Sequence, residues 1–357
     1  MKKKIIDPRL LGFFILIVVA AGTVFAYRTA SQRRNTVKLE GYLGGEKIGF
    51  FEDPQVGEIL KDRYQVEMDY SRAGSLEMVT LDQTGRDYLF PSSQTSLEYY
   101  REERGEPLAS EIILNTPIVL YTHSMVADAL ENAGLITWEG DTGYVDMKGL
   151  TDLILQDASW EELGLPQLYG PVTIETTDPS KSNSGNMFAG LLANTLNGGQ
   201  TVNRSTVGAV LPQLKEIFAR LGYMETSSSD LFSQFLKMGV GAKPIIAGYE
   251  SQLLEFAVEQ PEDFAQIKED IVMLYPSPTV WSTHVYIALT ENGRKAVDGL
   301  LDEEVQRLAW EKHGFRTNVY LAASSAEAFG VRGLAPEITR VMPMPDYQTM
   351  RQIIDGL

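Results

Sequence analysis

Four turns rich in glycine and serine each follow a predicted strand in this sequence. Hydroxyl side chains cap helices and donate to oxyanions, and glycine lets the backbone approach a ligand closely. In open parallel sheets such turns lead into helix N-termini, whose unpaired N–H groups attract anions at one edge of the sheet. We expect the four turns to form one cleft for a small anionic ligand, although each turn alone is also explained by ordinary helix capping. Their residues are Gly45, Glu46, Gly74, Ser75, Ser92, Ser93, Ser182, Asn183, Ser184 and Gly185.

Strand-like and helix-like segments alternate along the chain, a pattern typical of an α/β protein with mainly parallel sheets. The predicted strands cover residues 36–42, 64–70, 87–90, 112–122, 172–176, 245–249, 271–275 and 280–289. The predicted helices cover residues 51–61, 123–134, 187–196, 292–311 and 346–354. The glycine and serine turns therefore lie where strands of such a fold end.

The sequence lacks the residues that metal binding, hydrolysis and nucleotide binding usually need. The chain has no cysteine, and its three histidines, His123, His284 and His313, lack the spacing of metal ligands. It contains neither the Gly-x-Ser-x-Gly turn of a hydrolase nor a phosphate loop or dinucleotide fingerprint. We therefore predict no catalytic residue, no metal site, no cofactor and no enzymatic activity. The formal charge of −17 argues against nucleic acid as a partner, because nucleic-acid binding needs clustered lysine and arginine.

The N-terminus has the pattern of an export signal. Lysines at positions 2–4 precede an uncharged apolar run over residues 10–27. That length is about the minimum for a transmembrane helix. We expect a signal anchor in residues 1–35, with the rest of the chain on the extracytoplasmic face of the membrane. Cleavage and secretion after Ala26 is the alternative.

Several further stretches carry a family resemblance by their order and spacing. They are residues 51–54, 87–93, 115–120, 177–179, 275–278 and 306–316. With the glycine and serine turns, they resemble the bacterial extracellular solute-binding proteins of the type II periplasmic-binding-protein fold, the group that binds molybdate, sulfate and phosphate. The similarity extends from about residue 37 to residue 318, which is most of the exported region.

This resemblance implies two α/β lobes, each a mainly parallel sheet flanked by helices. Two crossover strands, near residues 112–122 and 280–289, would join them as a hinge. Lobe 1 would comprise residues 36–115 and 285–357, and lobe 2 residues 116–284. The implied ligand contacts are Gly45, Glu46, Gly74, Ser75, Ser92 and Ser93 in lobe 1, and Thr116, Ser182, Asn183, Ser184 and Tyr249 in lobe 2.

Two acids depart from the expected charge of an anion site. Glu46 stands where many oxyanion binders have a small neutral residue, and Glu250 follows Tyr249 near the expected cleft. We count both among the ligand-binding residues, although a surface position fits either one equally well. They leave room for a protonated anion, a zwitterion or a ligand that bears a cation.

The function that the resemblance implies is capture of a small anionic solute, possible oxyanions included, for delivery to an ABC-type permease. The alternative is a sensor or interaction subunit of a membrane-bound assembly that retains the same fold. About forty residues after Arg316 extend past the resemblance and favour this alternative. The identity of the ligand and the oligomeric state stay open.

Overall fold

The computed structural model describes residues 36–318 and 329–357, together with residues 14, 17–20, 22 and 23. The apolar run at 10–27 and the cleavage site at Ala26, both predicted from sequence, lie largely outside these residues. Within the described parts of the chain, no helix combines the length and the apolar character needed to cross a membrane.

Seven of the nine strands of the described residues follow predicted segments, and the other two form an additional hairpin; the strand predicted at residues 172–176 is wrong, because only Glu175 there forms a bridge, with Ile246. The nine strands are β1 (Val37–Leu43), β2 (Val66–Arg72), β3 (Tyr88–Phe90), β4 (Ala109–His123), β5 (Ile136–Glu139), β6 (Thr142–Val145), β7 (Ile245–Tyr249), β8 (Ile271–Pro276) and β9 (Trp281–Ala288). The hairpin of β5 and β6 turns at Gly140, whose φ of 62° lies in the left-handed region that favours glycine.

Helices fill most of the connections between the strands. They are α1 (Ile48–Glu52), α2 (Pro54–Tyr64), α3 (Glu77–Thr80), α4 (Gln94–Arg104), α5 (Ser124–Asn132), α6 (Met147–Leu155), α7 (Asn183–Leu196), α8 (Val207–Ala219), α9 (Ser228–Met238), α10 (Glu250–Glu259), α11 (Pro261–Ile267), α12 (Glu291–Leu300), α13 (Glu303–Glu311) and α14 (Tyr347–Gly356). A 3₁₀ turn, Gly45–Lys47, precedes α1.

The strands form two groups that share β4. The sheet order is β2-β1-β3-β9-β4-β8-β6-β5, and β7 also pairs with β4. The start of β4 pairs with β9, whereas its end pairs with β7 and β8. We call residues 36–115 and 281–318 the first half, and residues 116–280 and 329–357 the second half. A single 15-residue strand therefore connects both halves.

Strand pairing is mixed. In the first half β1 lies parallel to both β2 and β3, as the alternation of strands and helices predicted. The connecting strands β4 and β9 run antiparallel to their neighbours, because they return between the halves rather than following a crossover helix. The predicted α/β fold with helices flanking the sheet is confirmed.

Each half has its own apolar core. In the first half, Leu39 and Leu43 of β1 pack with Phe90 of β3 and with residues of α2 and α12. In the second half the faces of α7 and α8 pack on β4, β7 and β8, around fully buried residues such as Leu192 and Leu214. Two separate cores agree with the size of the chain.

The C-terminal segment corrects one predicted boundary. The sequence assigned residues 285–357 to lobe 1, but residues 329–357 pack mainly against the second half, and Tyr347 of α14 also stacks on Tyr99 of the first half with 4.4 Å between the ring centroids. Phe329 and Val331 join the core formed by β7, β8 and α9, whereas Met350 of α14 packs with the core around α7 and α8. Residues 281–318 remain with the first half, because Tyr286 and Phe315 belong to its core.

A buried ion pair explains where this segment lies. The Arg316 guanidinium donates to the Glu250 carboxylate through Nε at 2.7 Å and Nη2 at 2.8 Å. The same guanidinium donates to the backbone oxygen of Ala335 at 2.6 Å, and the Tyr275 hydroxyl donates to Glu250 at 2.5 Å. Arg316 is only 2% exposed and Glu250 is fully buried. The pair thus joins α10, β8 and the C-terminal segment.

The region predicted as one helix over 292–311 is two helices. Asp302 interrupts it, because its carboxylate accepts a hydrogen bond from the backbone N–H of Glu304 at 2.9 Å. This is the bond of an N-cap, so a new helix, α13, begins at Glu303.

We predict that Arg316→Met lowers the free energy of unfolding by about 3–5 kcal/mol, because it leaves the Glu250 carboxylate buried without a counter-ion. Combining it with Glu250→Gln should cost less than the sum of the single changes, since neither charge is then left alone. Urea unfolding measures all three variants.

The matched control is Arg307→Gln, which breaks a partly exposed pair with Glu311 on α13. It should cost under about 1 kcal/mol. Equal losses for Arg307→Gln and Arg316→Met, or additive losses in the double variant, would contradict the structural role of the Glu250 pair.

Candidate functional site

A cleft of about 670 Å³ lies between the two halves. Its lining has no aliphatic side chain larger than the methyl group of Ala73 and no aromatic ring. The lining residues are Gly44, Gly45, Glu46, Arg72, Ala73, Gly74, Ser75 and Glu77 from the first half, and Ser180, Lys181, Ser182, Asn183, Thr226, Ser227, Ser228 and Asp230 from the second half. Such a surface suits a polar ligand.

The structure brings six of the twelve predicted site residues to this cleft. They are Gly45, Glu46, Gly74, Ser75, Ser182 and Asn183. The other six lie outside its lining and are buried: Ser92, Ser93, Thr116, Ser184, Tyr249 and Glu250. The turns therefore do converge, but only their outer residues reach the open space.

The two halves touch at the base of the cleft. The Asn183 amide donates to the backbone oxygen of Ser92 at 2.9 Å and to the Tyr249 hydroxyl at 3.0 Å. The Ser282 hydroxyl donates to the same oxygen of Ser92 at 2.7 Å. On the other side, a Cβ added to Gly74 would lie 2.6 Å from the backbone oxygen of Lys181, so only glycine fits there. The two halves are therefore in contact on two sides of the cleft.

Several predicted donors are already engaged in helix capping. The Ser93 hydroxyl accepts from the backbone N–H of Ser96 at the start of α4. The Thr116 hydroxyl accepts from the N–H of Ser251 in α10 at 3.1 Å. Ser93 is therefore an ordinary helix N-cap, and Thr116, within β4, satisfies a backbone N–H at the start of α10.

Ser75 and Ser184 also contact protein groups. The Ser75 hydroxyl accepts from the N–H of Ser92 at 2.9 Å. The Ser184 hydroxyl lies 2.7 Å from that of Thr177 and 3.1 Å from that of Ser182. Ser184 is fully buried, whereas Ser75 reaches the cleft.

The sequence did not predict Lys47, the most buried cation near the cleft. Its side chain is fully buried, and its ammonium contacts the Glu46 carboxylate, which is 7% exposed. The ammonium also donates to the Ser92 hydroxyl at 2.7 Å and lies 3.2 Å from Nδ1 of His284. The Ser92 hydroxyl in turn donates to Glu46. Four polar side chains thus form one buried cluster behind the cleft.

The charges of this cluster depend on one another. Burial alone would raise the pKa of Glu46, but the charge of Lys47, that of His284 when it is protonated, and hydrogen bonds from Lys47 and Ser92 outweigh it and lower that pKa to about 2. Burial lowers the pKa of Lys47, and Glu46 opposes this change. Burial and the neighbouring ammonium lower the pKa of His284. A neutral His284 therefore accepts from Lys47 through Nδ1, beside an ionised Glu46.

Two other cations lie at the cleft itself. Arg72 from the first half and Lys181 from the second half are both exposed lining residues. Within residues 36–318 and 329–357, neither one makes a salt bridge with a carboxylate. The N-termini of α7 and α9 open onto the same space through Ser182, Ser227 and Ser228, and the N-caps Ser182 and Ser227 make no side-chain capping bond.

Glu250 does not face the cleft, contrary to the prediction. Its carboxylate points away from the open space toward Arg316 and Tyr275.

Tyr249 is also buried outside the cleft. Its backbone oxygen accepts from the Tyr121 hydroxyl, and its ring lies next to His284 with 6.4 Å between the ring centroids. Burial raises the pKa of Tyr249, which keeps its hydroxyl protonated.

One further group of side chains has the composition of a metal site. Ligand atoms of Glu255, Glu259 and His313 lie within 4.8 Å of one another. His313 is 2% exposed, and both of its ring nitrogens already face carboxylates, Glu255 at 2.7 Å and Asp53 at 3.3 Å. This arrangement joins α2, α10 and the end of α13 by hydrogen bonds.

Comparison with known proteins supports the fold at low sequence identity. No protein-family model matches the chain, and no curated protein matches it. Among solved structures, a periplasmic thiamin-binding protein is 10% identical, with 89% of this chain and 94% of that chain covered and a TM-score of 0.59. The substrate-binding protein of an ABC transporter from Agrobacterium tumefaciens is 12% identical, with 91% and 94% covered and a TM-score of 0.56.

A third structure belongs to the predicted subgroup. The sulfate-binding protein of Mycobacterium tuberculosis H37Rv is 13% identical, with 86% of this chain and 93% of that chain covered and a TM-score of 0.52. Because the alignments span nearly all of each solved chain, the likeness concerns the whole architecture. The chain therefore has the fold of the extracytoplasmic solute-binding proteins, as its sequence predicted.

Proposed function

We propose that this protein is an extracytoplasmic solute-binding protein that captures a small anionic ligand in the cleft between its halves and delivers it to an ABC-type importer. The observation that carries the proposal is the polar 670 Å³ cleft, to which each half contributes one exposed cation, Arg72 and Lys181. Its volume lies within the range of about 300–1,000 Å³ that is usual for small-molecule sites.

The arrangement of the cations favours capture by closure. Because Arg72 and Lys181 belong to different halves, an anion can contact both only when the halves come together. The α7 and α9 N-termini add partial positive charge from the second half. Ligand binding would thus stabilise the closed arrangement, which is the form an importer must distinguish from the open one.

The lobe division follows from the same proposal. We assign residues 36–115 and 281–318 to the first lobe and residues 116–280 and 329–357 to the second, with β4 and β9 at the hinge. The export pattern at residues 2–4 and 10–27 and the shared fold support a location outside the cytoplasm.

We propose no covalent step. Among the described residues, Ser282, His284 and Glu46 have the residue types of a hydrolytic triad, but the Ser282 hydroxyl donates to the backbone oxygen of Ser92.

Ser124, His123 and Asp270 form a second such group. There the Ser124 hydroxyl donates to Asp270 at 3.1 Å rather than to the histidine. The His123 ring is buried against Phe235, with 4.8 Å between the ring centroids. Ser124 and His123 do not line the cleft.

The second candidate is a sensor or interaction subunit without transport. It is favoured by the Glu46 carboxylate, which accepts the hydrogen bond of the Ser92 hydroxyl. The sequence analysis assigned this hydroxyl to a ligand. The packing of residues 329–357 on the second half also adds a surface beyond the region of family resemblance.

A thermal-shift screen of residues 36–357 separates the two candidates. The panel comprises organic acids, sugar phosphates, amino acids, inorganic oxyanions and divalent metals. A bound ligand at a hundred times its dissociation constant adds about 2.7 kcal/mol to the free energy of unfolding, so we expect a raised midpoint for one chemical class. A folded protein whose midpoint no compound raises would favour the interaction subunit.

Replacing the cleft cations should weaken binding of whichever anion is found. We expect Lys181→Gln and Arg72→Gln each to raise the dissociation constant about 10- to 100-fold, because each removes a charge-assisted hydrogen bond. Isothermal titration calorimetry measures the change. Lys215→Gln, an exposed position on α8 outside the cleft, is the control and should bind as the unmodified chain does. Unchanged affinity in both cleft variants would remove Arg72 and Lys181 from the site.

A further inference from the structure

We infer that the Glu46 carboxylate is a built-in occupant of the deep anion position, and that the ligand is a hydroxylated organic anion held in the outer cleft by Arg72 and Lys181. The ligand class rests on the proposed function of solute capture. The role of Glu46 stands on the buried cluster alone. Together they imply that inorganic oxyanions such as sulfate are not ligands of this chain.

The deep position has the groups that an inorganic oxyanion would use. A fully buried ammonium, Lys47, lies beside the Ser92 hydroxyl at 2.7 Å and 5.0 Å from the centre of the Phe90 ring. A buried cation without a counter-ion is strongly destabilising, so an anion must be present at this point. The chain supplies that anion itself, because Glu46 contacts both the Lys47 ammonium and the Ser92 hydroxyl.

Neighbouring donors that could serve a second anion are also engaged. The Asn183 amide already donates to the backbone oxygen of Ser92 and to the Tyr249 hydroxyl, and the Ser282 hydroxyl donates to the same oxygen of Ser92. An inorganic oxyanion would therefore have to displace Glu46 or lie against its negative charge. Without displacement, neither the Asn183 amide nor the Ser282 hydroxyl is left to replace the hydration shell of an ion at the deep position.

The outer cleft has a different composition. Arg72 and Lys181 supply positive charge, and the hydroxyls of Ser75 and Ser228 lie in the same lining. Glu77 and Asp230 are exposed acids there, and ionised carboxylates only accept hydrogen bonds. A ligand that fits must therefore carry an anionic group for the cations and hydroxyl donors for the acids.

The size and polarity of the cleft narrow the class of possible ligands further. A volume of about 670 Å³ is some twentyfold the roughly 30 Å³ occupied by one water molecule, far more than a tetrahedral oxyanion fills. The lining has no apolar side chain larger than that of Ala73, so no apolar pocket is formed for a large aromatic or aliphatic group. Hydroxylated carboxylates and phosphate monoesters combine the required size, charge and donors.

The decisive variant is Glu46→Ala, which vacates the deep position and leaves Lys47 without its counter-ion. We expect this variant to bind sulfate at least about tenfold more tightly than the unmodified chain, because a charge-assisted contact to Lys47 becomes available. Sulfate also stabilises folded proteins by exclusion, so the midpoints of the variant and of the unmodified chain are compared at the same sulfate concentrations, and calorimetry confirms binding.

Two control variants isolate the cause. Glu77→Ala removes an exposed acid of the same cleft and should gain no sulfate binding. Glu46→Ala combined with Lys47→Met removes both charges of the pair and should lose whatever sulfate binding the single variant gained. A gain that is equal in Glu46→Ala and Glu77→Ala would overturn the assignment of Glu46.

The unmodified chain supplies the test that does not depend on folding of a variant. Titration with sulfate, molybdate and phosphate should give no binding, whereas a sugar phosphate or a sugar acid should bind. Binding of an inorganic oxyanion would overturn this inference and leave solute capture intact. If neither class binds but Glu46→Ala gains sulfate, the built-in role of Glu46 stands and solute capture is wrong, together with the ligand class.

Discussion

A lysine ammonium buried behind the cleft is the constraint on which the rest of the site depends. Lys47 has no access to water, so the protein must supply its counter-charge and its hydrogen-bond partners. Glu46, Ser92 and His284 do so, and they come from the turn after β1, the turn after β3 and the connecting strand β9. The ion pair therefore organises several elements of the first half and divides the interlobe space into a filled base and an open outer cleft.

The second half meets this base through Asn183 rather than through a charge. Its amide contacts the backbone of Ser92 at the same turn that holds Lys47. Neutral hydrogen bonds contribute only about 1 kcal/mol each, so this contact can form and break as the halves move. The buried Glu250 and Arg316 pair is different, because it joins Arg316 of the first half to Glu250 of the second half. The halves are thus connected by a buried ion pair away from the cleft and by neutral hydrogen bonds at the base of the cleft.

Local patterns predicted most of the fold, and half of the predicted site residues line the cleft. Strand and turn signals depend on neighbouring residues, so the turn at Gly74 and Ser75 was correctly placed after a strand and does line the cleft. Ser182 also lines the cleft, although residues 172–176 before it form no strand. The same local reasoning overlooked Asp302, although it has the residue type of an N-cap and splits the last predicted long helix.

The burial of Lys47 and the position of Glu250 depend on contacts between residues that are far apart in the sequence. Lys47 follows Glu46 directly, and such a pair is ordinarily a solvated surface feature. Only its contact with His284, 237 positions away, shows that it is buried. Glu250 was placed in the cleft because it adjoins Tyr249, yet its partner Arg316 is 66 positions away. Whether a charged residue is buried depends on such distant partners, and the local pattern of the sequence does not show them.

The absence of cysteine allows the central claim, ligand-driven closure, to be measured directly. Spin labels on Thr80→Cys and Ser229→Cys, exposed positions of α3 and α9 on opposite sides of the cleft, report the distance between the halves by pulsed electron paramagnetic resonance. Our account predicts a broad distance distribution in the protein alone that narrows to its shorter distances when a solute that raises the unfolding midpoint is added. An identical distribution with and without that solute would contradict capture by closure.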